Sequence, residues 1–362
     1  MPDNLSQGFI YNTIIRNMEA RMFRKGLAVA VILLFIGMCV VPSTAVQELR
    51  EKQLPLYFDG NTLYVGGSGP NNYTRIQDAI NDSFDGDTVF VYDDSSPYNE
   101  NLKVDKSITL KGESKETTVI NGSGGEIVVS ISSDKVILSG FTVQYYGNNS
   151  NLTYSLISIQ SHYNVISGNI IIGDAMRGID IDNYENNSIS HNIISCSHGI
   201  VISYGKNNNI SGNVIKDCVI GINLAWISDN NSIYGNTLTN NSVSIAVSGF
   251  FCINGVISLN NISYNYIGIF VINCLNYKIT KNNFISNFIN VRFAYILRAI
   301  LSYGFQLKSL RDIQSTITWD GNYWNKPRNF PKPIFGRLGP YSLIPWINFD
   351  WNPAQEPYDI GV

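Results

Sequence analysis

Charge is scarce in this chain. Only 15% of its 362 residues are Asp, Glu, Lys or Arg, and the net charge is −3. That balance excludes a basic groove for nucleic acid and a polybasic membrane patch. Histidine is scarcer: His162, His191 and His198 are all there are, and Met176 is the one methionine after residue 45. A copper centre would have few donors to draw on. The cysteines lack the spacing of a zinc site, so no metal site is expected. Long hydrophobic runs are missing too. The exception, Leu27–Val41, has 15 residues, short of the ~20 that span a bilayer.

What the chain does have is a period. Asn169, Asn192, Asn213, Asn236, Asn260 and Asn282 follow one another at steps of 23, 21, 23, 24 and 22. A second row, Gly178, Gly199, Gly221, Ser244 and Gly268, is interleaved at steps of 21, 22, 23 and 24. Two motifs locked at one period indicate a repeat architecture. Each row is a short Ile/Val run closed by Gly, Asn or Ser, which reads as a strand with turns at both ends. Two or three strands per coil of about 22 residues leave no room for a helix in the repeat. The expectation is an all-β, single-domain, right-handed parallel β-helix. Ile179, Ile181, Ile200, Ile202, Ile222 and Leu224 should point inward, and Asp180, Val201, Asn223, Ala246 and Phe270 outward. Stacked asparagines should hydrogen-bond from coil to coil. Cys196 and Cys218 share one register and Cys252 and Cys274 another. Each pair should stack, either as a disulfide in an oxidising compartment or as buried thiols.

Four regions follow. Residues 1–21 read as an N-terminal extension. Residues 22–45 read as a signal peptide or signal anchor, with Arg24 and Lys25 ahead of the apolar run and Ser43, Thr44 and Ala45 after it. Export to the exterior or the cell surface is expected, with a membrane anchor only through this segment if it is not cleaved. Residues 57–291 are the repeat domain, opened by a short amphipathic capping helix over Thr74–Asn81. Residues 292–362 read as an irregular segment and a Pro- and Trp-rich C-terminal cap, since proline cannot continue a ladder.

Tyr64-Val-Gly-Gly-Ser-Gly-Pro-Asn-Asn-Tyr-Thr-Arg-Ile-Gln-Asp-Ala-Ile, Asp85-Gly-Asp-Thr-Val-Phe-Val-Tyr, Ser107-Ile-Thr-Leu-Lys-Gly-Glu and the Gly-Asn rows carry a family resemblance. The chain resembles NosD-like, pectate-lyase-like parallel β-helix repeat proteins, especially secreted or surface members found in archaea. The resemblance implies the fold. It leaves the function open among lyases, hydrolases, binding modules and copper-processing accessory proteins.

Two groups of side chains are candidates for function. Asp174, Arg177, Asp180 and Asp182 are the compact acid–base group of the regular coils, a candidate for catalysis or for calcium. His198-Gly199 is similar to the His-Gly turn of galacturonan hydrolases, but no matching aspartate pair stands one coil away. Tyr184, Tyr204 and Trp226 stand close to the turn that opens each Asn row and could form an aromatic ladder for sugar rings. Many Asn-x-Ser/Thr sites fit glycosylation of an exported chain. The favoured reading is an exported, non-catalytic module that binds a polysaccharide or acts in adhesion, with glycans and envelope proteins as partners. A polysaccharide lyase or glycoside hydrolase is the second reading, and a NosD-like copper accessory protein the third.

Overall fold

Apolar runs of three to six residues, each closed by Gly, Asn or Ser, can form only short strands, and they find partners one coil away. The computed structural model describes residues 60–147, 154–248, 252–295, 317–338 and 344–361. The signal segment, most of the Asn148–Tyr154 loop and residues 296–316 lie outside the described residues. Three sheets run the length of a right-handed parallel β-helix of about ten coils. Sheet 1 has 11 strands, from Thr62–Val65 to Ile317–Asp320. Sheet 2 has ten, from Tyr98–Asn99 to Tyr323–Trp324. Sheet 3 has 11, from Leu102–Val104 to the hairpin Lys332–Leu338/Ile344–Asp350. Every strand pairing is parallel except that hairpin.

The register places like on like. Ile166, Ile189, Ile210, Ile233, Ile257 and Ile279 stack along sheet 1. Ile179, Ile200, Ile222, Ile245 and Ile269 stack along sheet 3. All are fully buried. Asp180, Val201, Asn223, Ala246 and Phe270 form one row between them, as their alternation requires, yet Asp180, Val201 and Ala246 are almost buried.

Buried asparagines tie the coils together. In the row Asn169–Asn192–Asn213–Asn236–Asn260–Asn282–Asn322, each backbone N–H and each Nδ2 donates to the Oδ1 of the next coil, at 2.9–3.1 Å. The chain of bonds has a direction, so its last donors need an acceptor. Asp350 supplies it: its Oδ2 accepts from Asn322 N–H, Asn322 Nδ2 and Trp324 Nε1, each at 3.0 Å. A second ladder, Asn164–Asn187–Asn208–Asn231, ends where Tyr277 occupies the slot. Its ring lies over Gly255, where a Cβ would meet Tyr277 Cζ at 2.2 Å. A third, Asn241–Asn265–Asn287, is entered by the Cys218 N–H.

The solenoid continues past residue 291. Ile289–Tyr295, Ile317–Asp320 and Tyr323–Trp324 extend all three sheets. Asn322 rejoins the ladder 40 positions after Asn282, so a long excursion does not break the stack.

The capping helix runs Ile76–Asp82 and buries Ile76, Ala79 and Ile80. Its N-cap residue, Arg75, makes no side-chain capping bond. Glu100, 24 residues on, accepts the Ile76 and Gln77 N–H groups at 2.8 and 3.1 Å. Glu100→Ala should therefore lower stability by about 1–2 kcal/mol, the usual loss when a capping acceptor goes. Thermal melts of variant and parent check this.

Candidate functional site

One corner of the coil places aromatic rings where the backbone favours small polar residues. The sheet 3 strands Arg177–Asp182, His198–Ser203 and Ile220–Ala225 end in register, with Asp182, Ser203 and Ala225 aligned. The next residue in each is left-handed: Asn183 at φ 66°, Tyr204 at 56° and Trp226 at 57°. Asn273 takes the same conformation two coils further on, at φ 54°. Asn tolerates that region through local hydrogen bonding, whereas a bulky side chain meets a steric cost there. Bulky residues held in such conformations cluster at functional sites. Tyr204 and Trp226 lie parallel, with centroids 5.8 Å apart and planes 6° apart. They are 41% and 45% exposed, so the pair presents a wet aromatic surface.

Tyr184 does not join them. The strand register aligns Asn183, not Tyr184, with Tyr204. Tyr184 sits one residue past the corner, level with Gly205, and turns against His162 at 5.3 Å. The expected three-ring ladder is a two-ring pair, because Tyr184 falls one position late in the coil.

The Asn and Gly rows do not reveal a second parallel pair. Tyr266 and Phe288 lie 5.1 Å apart with planes 9° apart, at the corner that enters sheet 3. They are 58% and 75% exposed. A signal was available: each immediately precedes an isoleucine that opens a sheet 3 strand, 22 positions apart.

The acid–base group is partly assembled. Arg177 Nη1 donates to Asp180 Oδ1 at 2.7 Å, and its guanidinium lies 4.4 Å from the Tyr154 ring centre. Burial pushes the Asp180 carboxyl above the ordinary Asp range, against the pull of Arg177. Asp182 is exposed on the same face of the strand, two residues on. Asp174 is exposed at the preceding corner. Arg177 already provides the positive charge that calcium would bring to Asp180.

The four cysteines of the solenoid stack in the two pairs expected and are buried free thiols. Each has a backbone carbonyl acceptor: Cys196 Sγ to Ile171, Cys218 to Lys216, Cys252 to Trp226 and Cys274 to Ile272, at 3.7, 3.3, 2.9 and 3.3 Å. At the Cys252–Cys274 corner, Ser161 and Ser228 make the same kind of bond in other coils, to Ile131 and Ile202. Burial pushes the Cys218 thiol up to about 11 and raises Cys196 as well, which suits packing rather than chemistry.

The histidines stand at separate places. His162 Nδ1 accepts from the Glu185 N–H at 3.2 Å. His191 sits at a left-handed corner between sheets 1 and 2, and His198 lies against the Met176 carbonyl at 3.3 Å. Among the described residues, no three His, Cys, Asp or Glu side chains converge. Copper selects imidazole, thiolate and thioether donors, and these residues do not form such a set. No described helix is long and apolar enough to cross a membrane.

No curated protein sequence matches the chain. Among solved structures, the Dettilon tailspike protein is 11% identical with a TM-score of 0.42, over 67% of this chain and 57% of its own. A mutant of the periplasmic alginate epimerase AlgG is 14% identical with a TM-score of 0.40, over 74% and 73%. Tailspike protein 2 of the Escherichia coli O157:H7 bacteriophage CAB120 is 12% identical with a TM-score of 0.43, over 66% and 43%. The chain thus spans about half the length of the tailspikes. The family model described as periplasmic copper-binding protein (NosD) matches residues 60–254. That match covers the N-terminal cap, seven full coils and the Tyr204–Trp226 corner, more than half of the sequence, and by it the chain belongs to the NosD family.

Proposed function

We propose that the chain is an exported polysaccharide-binding module whose contact surface is the Tyr204–Trp226 pair. The observation that carries this reading is the pair itself: two parallel, half-exposed rings at a corner that asparagine fills in neighbouring coils. Flat apolar faces stack on the C–H faces of sugar rings, and neighbouring amides and hydroxyls meet the sugar hydroxyls. Asn183, Ser203 and Asn207 are the polar groups at hand. Envelope or surface attachment fits an exported solenoid with a polar, weakly charged exterior.

Native electrophoresis in gels cast with different polysaccharides tests it. The full chain should be retarded by at least one polymer without clearing it. Tyr204→Ala and Trp226→Ala should each weaken the retardation roughly tenfold, about 1.4 kcal/mol. Equal retardation of both variants would remove the pair from the account.

One observation favours a second reading, a polysaccharide lyase or hydrolase. Asp180 and Asp182 share a face two residues apart, and burial and the charge of Asp182 raise Asp180. Unlike carboxyls side by side can divide acid and base roles. Clearing of polymer behind the band, lost in Asp180→Asn, would establish that reading instead.

A further inference from the structure

Among the described residues, the charged groups that border the Tyr204–Trp226 pair are mostly carboxylates. Around Tyr204 and Trp226 the charged side chains are Asp182, Glu185, Lys206 and Asp229. Asp182 is exposed, in register with Ser203, the residue before Tyr204. Glu185 accepts from Asn207 Nδ2 at 3.3 Å. Lys206, the single cation among them, has its Nζ 3.9 Å from Asp229. Arg177 is occupied by Asp180 and Tyr154. At the other corner the sequence neighbours of Tyr266 and Phe288 are uncharged, but Asn325 of the next coil accepts the Ser286 N–H at 3.1 Å and exposed Lys326 follows it, so that corner does not bear on ligand charge. Arg292 lies four residues along the strand from Phe288, roughly 13 Å at the usual rise.

We infer that the polysaccharide these rings bind is uncharged. The inference rests on the glycan-binding reading and narrows its ligand class. A polyuronate carries carboxylates at closely spaced positions, and proteins hold such groups with arginine forks or lysines. Here three carboxylates border the main pair, against one lysine whose Nζ lies 3.9 Å from Asp229. A polyanion laid across it meets like charge within a Debye length of ~10 Å at 0.1 M salt. An uncharged polymer meets no such repulsion, and its hydroxyls suit the amide- and serine-rich corners.

The test uses the full chain in native gels with a neutral glucan, a neutral galactomannan, alginate or pectate, at low and high salt. Each protein is referred to its own mobility in a polymer-free gel. The expected result is retardation by a neutral polymer that salt leaves unchanged, and none by alginate or pectate at low salt. The double variant Asp182→Asn/Glu185→Gln should keep the neutral binding and gain at least severalfold in affinity for the polyanion. Retardation by alginate or pectate that is lost in Tyr204→Ala and weakens with salt overturns the inference while leaving the glycan-binding reading in place. Absence of retardation by every polymer overturns both.

Discussion

Replacing Asn213 with alanine should cost about 3–5 kcal/mol of stability, the largest loss expected from any single polar residue of the solenoid. Asn213 is fully buried in mid-ladder. Its Oδ1 accepts the Asn192 N–H and Nδ2, both at 3.0 Å. Its Nδ2 donates to the Ile189 carbonyl at 2.9 Å and to Asn236 Oδ1 at 2.9 Å. Alanine leaves the buried Asn192 N–H with no acceptor, takes from Asn192 Nδ2 one of its two acceptors (the Ile166 carbonyl remains) and removes the side-chain donor from the Ile189 carbonyl. Each buried group so stranded costs about 1–3 kcal/mol, and the deleted volume adds to it. In a stack where each coil contacts only its neighbours, the damage also lowers cooperativity. A urea titration should show an earlier midpoint and a broader transition than the parent. An unchanged curve would mean the ladder is not what couples the coils.

The C-terminal end of the same ladder gives the second prediction. Asp350 is fully buried and collects three N–H donors on one oxygen, with the Asn352 N–H on the other at 3.2 Å. Asp350→Ala strands the Asn322 N–H and the Trp324 indole N–H, while Asn322 Nδ2 keeps the Ile279 carbonyl, and should cost about 3 kcal/mol or more. Asp350→Asn keeps an acceptor for those donors and loses only the Asn352 bond, about 1 kcal/mol. The two variants also part company with pH. Burial raises the Asp350 carboxyl above its ordinary value, and the hydrogen bonds from Asn322, Trp324 and Asn352 offset this only in part. Its stabilising contribution is complete below the ordinary Asp pKa of ~3.9 and is lost as pH rises through the raised one. Asp350→Asn does not titrate. Its melting temperature relative to the parent should climb over that window, whereas Asp350→Ala should stay below the parent throughout. A constant gap between parent and Asp350→Asn from acid to neutral pH would contradict the assignment.

Much of this architecture is legible in the sequence because period and register are the same fact in a solenoid. Once Asn169 and Asn192 are aligned, stacking, inward isoleucines and paired cysteines follow. What escaped notice depends on partners distant in sequence or on single-residue offsets. Glu100 caps a helix 24 residues upstream, and no local capping pattern announces it. Asp350 closes a ladder whose last asparagine lies 28 residues before it. Tyr184 sits one residue from the corner that Tyr204 and Trp226 occupy, and an offset of one reverses which way a side chain faces. At residue 291 the regular period stops, but the stack does not, because strands need only return to the same edge to extend it. The candidate site was half legible: Tyr204 and Trp226 were named from their spacing, whereas Tyr266 and Phe288 were hidden in a row defined by its glycines.

The most direct measurement of the central claim is the fluorescence of Trp226 during titration with uncharged oligosaccharides. Trp319 and Trp324 are buried, whereas Trp226 is 45% exposed at the proposed contact and Trp351 is 50% exposed at the C-terminal end, so Trp226→Phe separates the two signals. The account predicts a saturable change in emission that is absent in Trp226→Phe and strongly weakened in Tyr204→Ala. No change with any oligosaccharide, or the same change in Trp226→Phe as in the parent, would contradict it.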